Sequence, residues 1–130
     1  MLLFAPLSYP AGFGGSLGSM MGYVPEPRLL YPTDATLNLT GQEDVRFKWS
    51  IHEARSMGSG RRYFEFRLYK GYDMLESTLI FKEDIYGDKD SIVLDSGIFE
   101  NGAIYTWSLK QCYKGVGKSK RSFHSFKVIK

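Results

Sequence analysis

The chain contains 130 residues, a length typical of one domain. Its 17 Lys and Arg against 14 Asp and Glu give a formal charge of +3, too small an excess to indicate a nucleic-acid binder. A single cysteine excludes an intrachain disulfide, and 9 Tyr, 9 Phe and 2 Trp favour a packed globular domain over a disordered chain.

The first 27 residues differ in composition from the rest of the chain. They carry one charge, that of Glu26, together with five of the 14 Gly and four of the 5 Pro. The apolar run from Leu2 to Leu7 is far shorter than the ~20 residues that cross a bilayer, so we expect no transmembrane segment. Residues 1–27 are either a leader without a role in the fold or an extended apolar segment that packs on another surface. On the second interpretation, its anchor residues are Phe4, Tyr9, Phe13 and Tyr23.

Residues 28–130 show the alternation of apolar and polar residues that is typical of half-buried strands. An opening edge strand ends near Pro32, because proline is confined to strand edges and bulges. Further strands are predicted at residues 44–50, 62–69, 77–82, 91–95, 103–111 and 122–128. The turn residues between them support short strands joined by tight loops. The side chains predicted to form the core are Val45, Phe47, Trp49, Phe64, Phe66, Leu68, Leu94, Tyr105, Trp107, Leu109, Phe126 and Val128.

The region 28–130 resembles a fibronectin type III domain, a branch of the immunoglobulin-like sandwiches. The resemblance is carried by the segments RLLYPTD, VRFKWS, YFEFRLY, GAIYTWSL and the terminal FKV. It implies an all-β, seven-stranded sandwich preceded by the extended N-terminal segment. It also implies that Trp49 is a core residue and that Tyr105 occupies the position of the tyrosine whose hydroxyl bonds back across a corner.

None of the sequence motifs indicates an enzyme or a bound cofactor. Gly117-Lys118-Ser119 looks like the end of a phosphate-binding loop, but strand-like sequence follows it where a helix is required, so a hairpin is predicted. Two His and Cys112 lack the spacing of zinc ligands. Cys112 has no histidine close in sequence, which favours an inert strand cysteine over a nucleophile.

The charges of the body are unevenly distributed. Residues 71–100 hold eight acids and two lysines, whereas residues 101–130 hold seven bases and no acid. Neighbouring strands of one sheet could pair these charges. Alternatively, the molecule has an acidic and a basic side suited to contact between copies.

Two classes of binding module therefore remain, with an accessory domain of a larger secretion or envelope machine as a third possibility. The first is a non-enzymatic structural module of a bacterial filament or surface complex. It would lie at the cell surface or outside the cell, or alternatively in the periplasm. Its N-terminal segment would dock on a neighbouring copy or a partner protein, giving a homo-oligomer or larger assembly. The second is a carbohydrate-binding or adhesion module, in which exposed rings stack on sugars. Its glycan-facing residues would be Tyr63, Tyr69 and Tyr72.

Overall fold

The computed structural model describes residues 24–51 and 61–130. Seven main strands run through this part of the chain: β1 (Arg28–Tyr31), β3 (Asp44–Ser50), β4 (Arg62–Lys70), β5 (Leu79–Tyr86), β6 (Ser91–Asp95), β7 (Ile104–Tyr113) and β9 (Ser122–Ile129). Two shorter strands accompany them, β2 (Thr36–Asn38) and β8 (Gly117–Lys118). Two 3-10 turns, Glu76–Thr78 and Ser96–Ile98, complete the described elements. The predicted anchors Phe4, Tyr9, Phe13 and Tyr23 lie outside the described residues.

The strands form two sheets. The larger has the order β2-β9-β7-β4-β5, with β8 beside the end of β7, and the smaller has the order β1-β3-β6. All neighbouring strands pair antiparallel except β2 and β9, which are parallel. The chain therefore crosses between sheets early, because β1 belongs to the small sheet and β2 to the large one. This arrangement confirms the predicted all-β sandwich.

The core lies between the sheets and is largely aromatic. Phe47 of β3 packs edge-on against Phe66 of β4 and Trp107 of β7, with ring centroids 5.4 and 5.0 Å apart. All twelve residues predicted for the core are buried. Among the residues that the structure describes, the main buried core cluster spans residues 37–128.

The boundaries of β5 differ most from the prediction of residues 77–82. The strand begins later because Glu76–Thr78 form a 3-10 turn, in which the Thr78 hydroxyl donates to the Asp73 carbonyl oxygen at 2.6 Å. It also continues to Tyr86 through three exposed charged residues, Lys82, Glu83 and Asp84. An edge strand needs no apolar face along its whole length, so hydrophobic alternation could not reveal this extension.

Candidate interaction surfaces

The N-terminal segment joins the sandwich through residues 24–27. Val24 is buried against Tyr113 at the end of β7. Gln111 Nε2 donates to the Pro25 carbonyl oxygen at 2.9 Å, and Ser122 Oγ donates to the Pro27 carbonyl oxygen at 2.6 Å. These contacts hold residues 24–27 beside the end of β7 and the start of β9.

A buried arginine organises the same end of the sandwich. Arg62, at the start of β4, is 1% exposed and pairs with Asp88 in the β5–β6 turn. Its guanidinium also donates to the Gly87 carbonyl oxygen and the Tyr113 hydroxyl, both at 3.4 Å, and lies 5.9 Å from the Phe64 ring centroid. A buried charge requires such partners to offset its desolvation. Arg62 therefore ties the β5–β6 turn to the end of β7, against which Val24 packs.

The outer face of the large sheet carries an aromatic pair near this end. Tyr63 of β4 lies opposite Tyr86 of β5, and their rings stack with centroids 5.1 Å apart and an angle of 28°. Lys114 Nζ lies 5.8 Å from the centroid of the Tyr86 ring. Tyr86 is 56% exposed, so part of its ring is accessible to solvent. Tyr86 was not predicted as a site residue. It pairs with Tyr63 through the part of β5 beyond residue 82, which the sequence pattern did not reveal.

The expectation that Tyr69 faces a glycan is wrong, because the structure buries this side chain to 5% exposure. Its cross-strand partner Thr106 is fully buried and donates from Oγ1 to the Gly71 carbonyl oxygen at 2.7 Å. Arg121 reaches Met74 Sδ at 3.5 Å. The chain after β4 thus folds back over the outer face of the sheet beside Tyr69. Tyr72, at 69% exposure, lies in this crossing segment, and the glycan role of Tyr63 and Tyr72 stays a prediction.

Tyr105 makes the corner contact that the resemblance implied. Its hydroxyl accepts a hydrogen bond of 2.8 Å from the backbone N–H of Glu100, five residues upstream. Its ring packs edge-on against Phe99, with centroids 4.9 Å apart. The loop before β7 is therefore fastened to the strand that follows it.

The structure shows the surroundings of two motifs that were considered for chemistry, the Gly117-Lys118 segment and Cys112. The Gly-Lys segment forms a hairpin after β7, in which Lys118 pairs with Cys112. Cys112 is fully buried, and this burial raises the pKa of its thiol to about 11, with the Glu65 carboxylate acting in the same direction. At neutral pH the sulfur is thus a protonated thiol, which is a poor nucleophile.

The ion pairs show how the acidic stretch 71–100 is neutralised. Asp84, Asp88 and Glu100 pair with Arg67, Arg62 and Lys70, all of which belong to β4. Among the described residues, the one ion pair of the basic stretch 101–130 joins Lys118 to Glu65, also on β4. One of these pairs, Arg67 with Asp84, joins the neighbouring strands β4 and β5, as one interpretation held, and all four involve a residue of β4. The acidic and basic stretches make no ion pair with each other within the described ranges.

Comparison with solved structures identifies the fold. The third fibronectin III domain of human KIAA0343 protein matches with a TM-score of 0.55 and 15% identity, covering 93% of this chain and 94% of that one. The fn3 domain of the human collagen alpha-1(XX) chain matches with a TM-score of 0.49 and 19% identity, covering 92% and 94%. No protein-family model matches the sequence, and no curated protein does. No helix within residues 24–51 and 61–130 is long and apolar enough to cross a membrane. The two sheets, their strand order and the first of these likenesses together show that the chain has a fibronectin type III-like fold.

Proposed function

We propose that this domain is a non-enzymatic interaction module whose N-terminal segment docks on a neighbouring copy of the chain. The observation that carries the proposal is the fixed position of residues 24–27, which directly follow that segment in the sequence. Val24, Pro25 and Pro27 are held by Tyr113, Gln111 and Ser122, whereas the 23 residues before them contain no charged side chain. An apolar segment of this composition is stabilised by burial, since exposed apolar surface is unfavourable in water.

The module would work outside the cell or at its surface, in a filament or a surface complex. Fibronectin type III-like domains commonly serve as structural or interaction modules, and the rigid sandwich would act here as a spacer. The segment 1–23 would supply the contact between units. Extended segments of this kind obtain affinity from main-chain hydrogen bonds and specificity from alternate side chains.

Deletion of residues 1–23 tests this function. The core cluster belongs to residues 37–128, so the truncated chain is expected to fold, and its thermal unfolding provides the control. Sedimentation velocity over a range of concentrations should show self-association of the intact chain and a monomer after deletion. Identical sedimentation of the two proteins would refute the proposal.

A carbohydrate-binding function is the second candidate, favoured by the stacked pair Tyr63 and Tyr86. The accessible part of the Tyr86 ring could stack on a sugar, and the nearby Lys114 ammonium could donate a hydrogen bond to it. Glycan-array binding that is lost in Tyr86→Ala and retained in Tyr31→Ala, at a 43% exposed position on the small sheet, would support it. Equal binding by both variants, or no binding by the intact protein, would reject it.

A further inference from the structure

We infer that the open edge of β6 is the acceptor for the N-terminal segment of a second copy, which adds there as an extra strand. This inference rests on the proposed function and names the surface that the segment occupies. It follows from a comparison of the four edge strands of the two described sheets, β1, β6, β2 and β5.

Three of these edges carry features that hinder the addition of a strand. The β1 edge is bounded by Pro27 and Pro32 and has an irregular register between Leu29 and Tyr31. The β2 edge has three residues. The β5 edge has an irregular register near Ile80 and the three consecutive charges of residues 82–84. Proline, bulges, short length and edge charges are the devices by which natural sheets prevent unwanted pairing.

The β6 edge carries fewer of these devices. Its register with β3 is regular from Ser91 to Asp95, and no proline or charge interrupts Ser91–Leu94. Trp49 N–H donates to the Asp90 carbonyl oxygen, and Ser96 N–H donates to the Glu43 carbonyl oxygen. Because hydrogen-bonded pairs alternate in an antiparallel ladder, Ile92 and Leu94 bond to β3. The backbone groups of Ser91, Val93 and Asp95 consequently point to the open edge.

Side chains beside this edge are suited to an apolar strand. Val93 is 44% exposed on the outer face, and Ile92 on the inner face is partly buried against the core. Ile92 is the cross-strand partner of Phe47, and the Phe47 ring contacts Phe66. Phe66 in turn packs against the partly buried Phe81 of β5. An added strand would cover the seam between the sheets on this side.

The sequence of the N-terminal segment matches this acceptor. Residues 11–23 contain neither proline nor charge, so every position there has an N–H for a ladder. In an extended conformation Leu17, Ser19, Met21 and Tyr23 would lie on one face, and Gly18, Met20 and Gly22 on the other. An uncharged strand also avoids repulsion by Asp90 and Asp95, which flank the acceptor.

The positions of donor and acceptor favour exchange between copies. The segment precedes residues 24–27, and Ser122 at the start of β9 holds these residues by donating to the Pro27 carbonyl oxygen. β6 lies on the other side of β3 from β1, so the acceptor is on the opposite edge of the small sheet. A donor on one side and an acceptor on the other produce a head-to-tail contact, which repeats from one copy to the next.

Sedimentation velocity of four full-length or truncated proteins tests the inference. They are the intact chain, the 1–23 deletion, Val93→Lys and the control Ile80→Lys, whose parent side chain on β5 is also 44% exposed. Val93→Lys should weaken self-association at least about tenfold, the equivalent of about 1.4 kcal/mol, while Ile80→Lys associates like the intact chain. Hydrogen exchange should show protection of β6 amides in the intact chain that the deletion removes.

The other outcomes separate the inference from the proposed function. If deletion abolishes association but Val93→Lys does not, the segment docks elsewhere and only the inference fails. If deletion has no effect, both fail. If the intact chain is a monomer whose β6 amides lose protection on deletion, the segment occupies its own domain, and the exchange between copies is overturned.

Discussion

The two tryptophans of the core allow a matched test of how much a buried hydrogen bond contributes to the stability of the fold. Both are almost fully buried, but Trp107 Nε1 donates to the carbonyl oxygen of buried Pro32 at 3.0 Å. Within residues 24–51 and 61–130, the Nε1 of Trp49 has no hydrogen-bond acceptor. Replacing each tryptophan by phenylalanine removes the same atoms, so the difference between the two variants reports mainly on the N–H group.

The expected difference follows from the hydrogen-bond energetics. Trp107→Phe leaves the Pro32 carbonyl oxygen without this partner, which costs about 1–3 kcal/mol beyond the loss of packing. Trp49→Phe removes a buried donor that has no acceptor, which offsets part of its packing loss. We therefore expect Trp107→Phe to lower the free energy of unfolding by about 2 kcal/mol more than Trp49→Phe does.

Urea unfolding followed by far-ultraviolet circular dichroism measures both variants without relying on the altered fluorophore. For a domain of this size, a 2 kcal/mol difference corresponds to midpoints that differ by roughly 7–10 °C in a thermal scan. Equal losses for the two variants would refute the argument, because they would show that the Trp107 hydrogen bond contributes nothing beyond packing.

Two further predictions concern the corner and the cysteine. Tyr105→Phe leaves the Glu100 N–H without its acceptor and should lower the free energy of unfolding by about 1–2 kcal/mol, whereas Tyr72→Phe at an exposed position should change it by less than about 0.5 kcal/mol; equal urea midpoints for the two variants would contradict the corner contact. The pKa of Cys112 is raised from 9.0 to about 11 in the folded state, so ionisation favours the unfolded chain and the free energy of unfolding should fall as the pH rises from 9 to 11. Cys112→Ala should remove about 2–3 kcal/mol of that fall, and an unchanged pH profile in this variant would show that the thiol is not the group responsible.

Strands that bury one face were predictable from the sequence. Asp44–Ser50 and Ser91–Asp95 have the predicted boundaries, because Val45, Phe47 and Trp49 alternate with polar residues and the turns beside them are clear. The same alternation identified the core residues. The corner contact of Tyr105, near the start of β7, was implied by the resemblance to fibronectin type III domains.

Features that depend on register or on chain crossings were not predictable. The burial of Tyr69 results from the segment after β4 folding back over the sheet, and strand periodicity contains no information about such a crossing. The pair Tyr63 and Tyr86 depends on how far β5 extends past its apolar part. The hold on Val24 comes from Tyr113, almost ninety residues away in sequence, and no local pattern links the two.

The parallel pairing of β2 with β9 has a mechanical consequence. Lys127 N–H donates to the Ala35 carbonyl oxygen, and Leu39 N–H donates to the Ile129 carbonyl oxygen, so several hydrogen bonds connect the two strands side by side. A pulling force applied between Val24 and Lys130 would draw these parallel strands in opposite directions along their length. The bonds would then be loaded together in shear rather than opened one after another. The domain is thereby expected to resist a force that pulls Val24 and Lys130 apart.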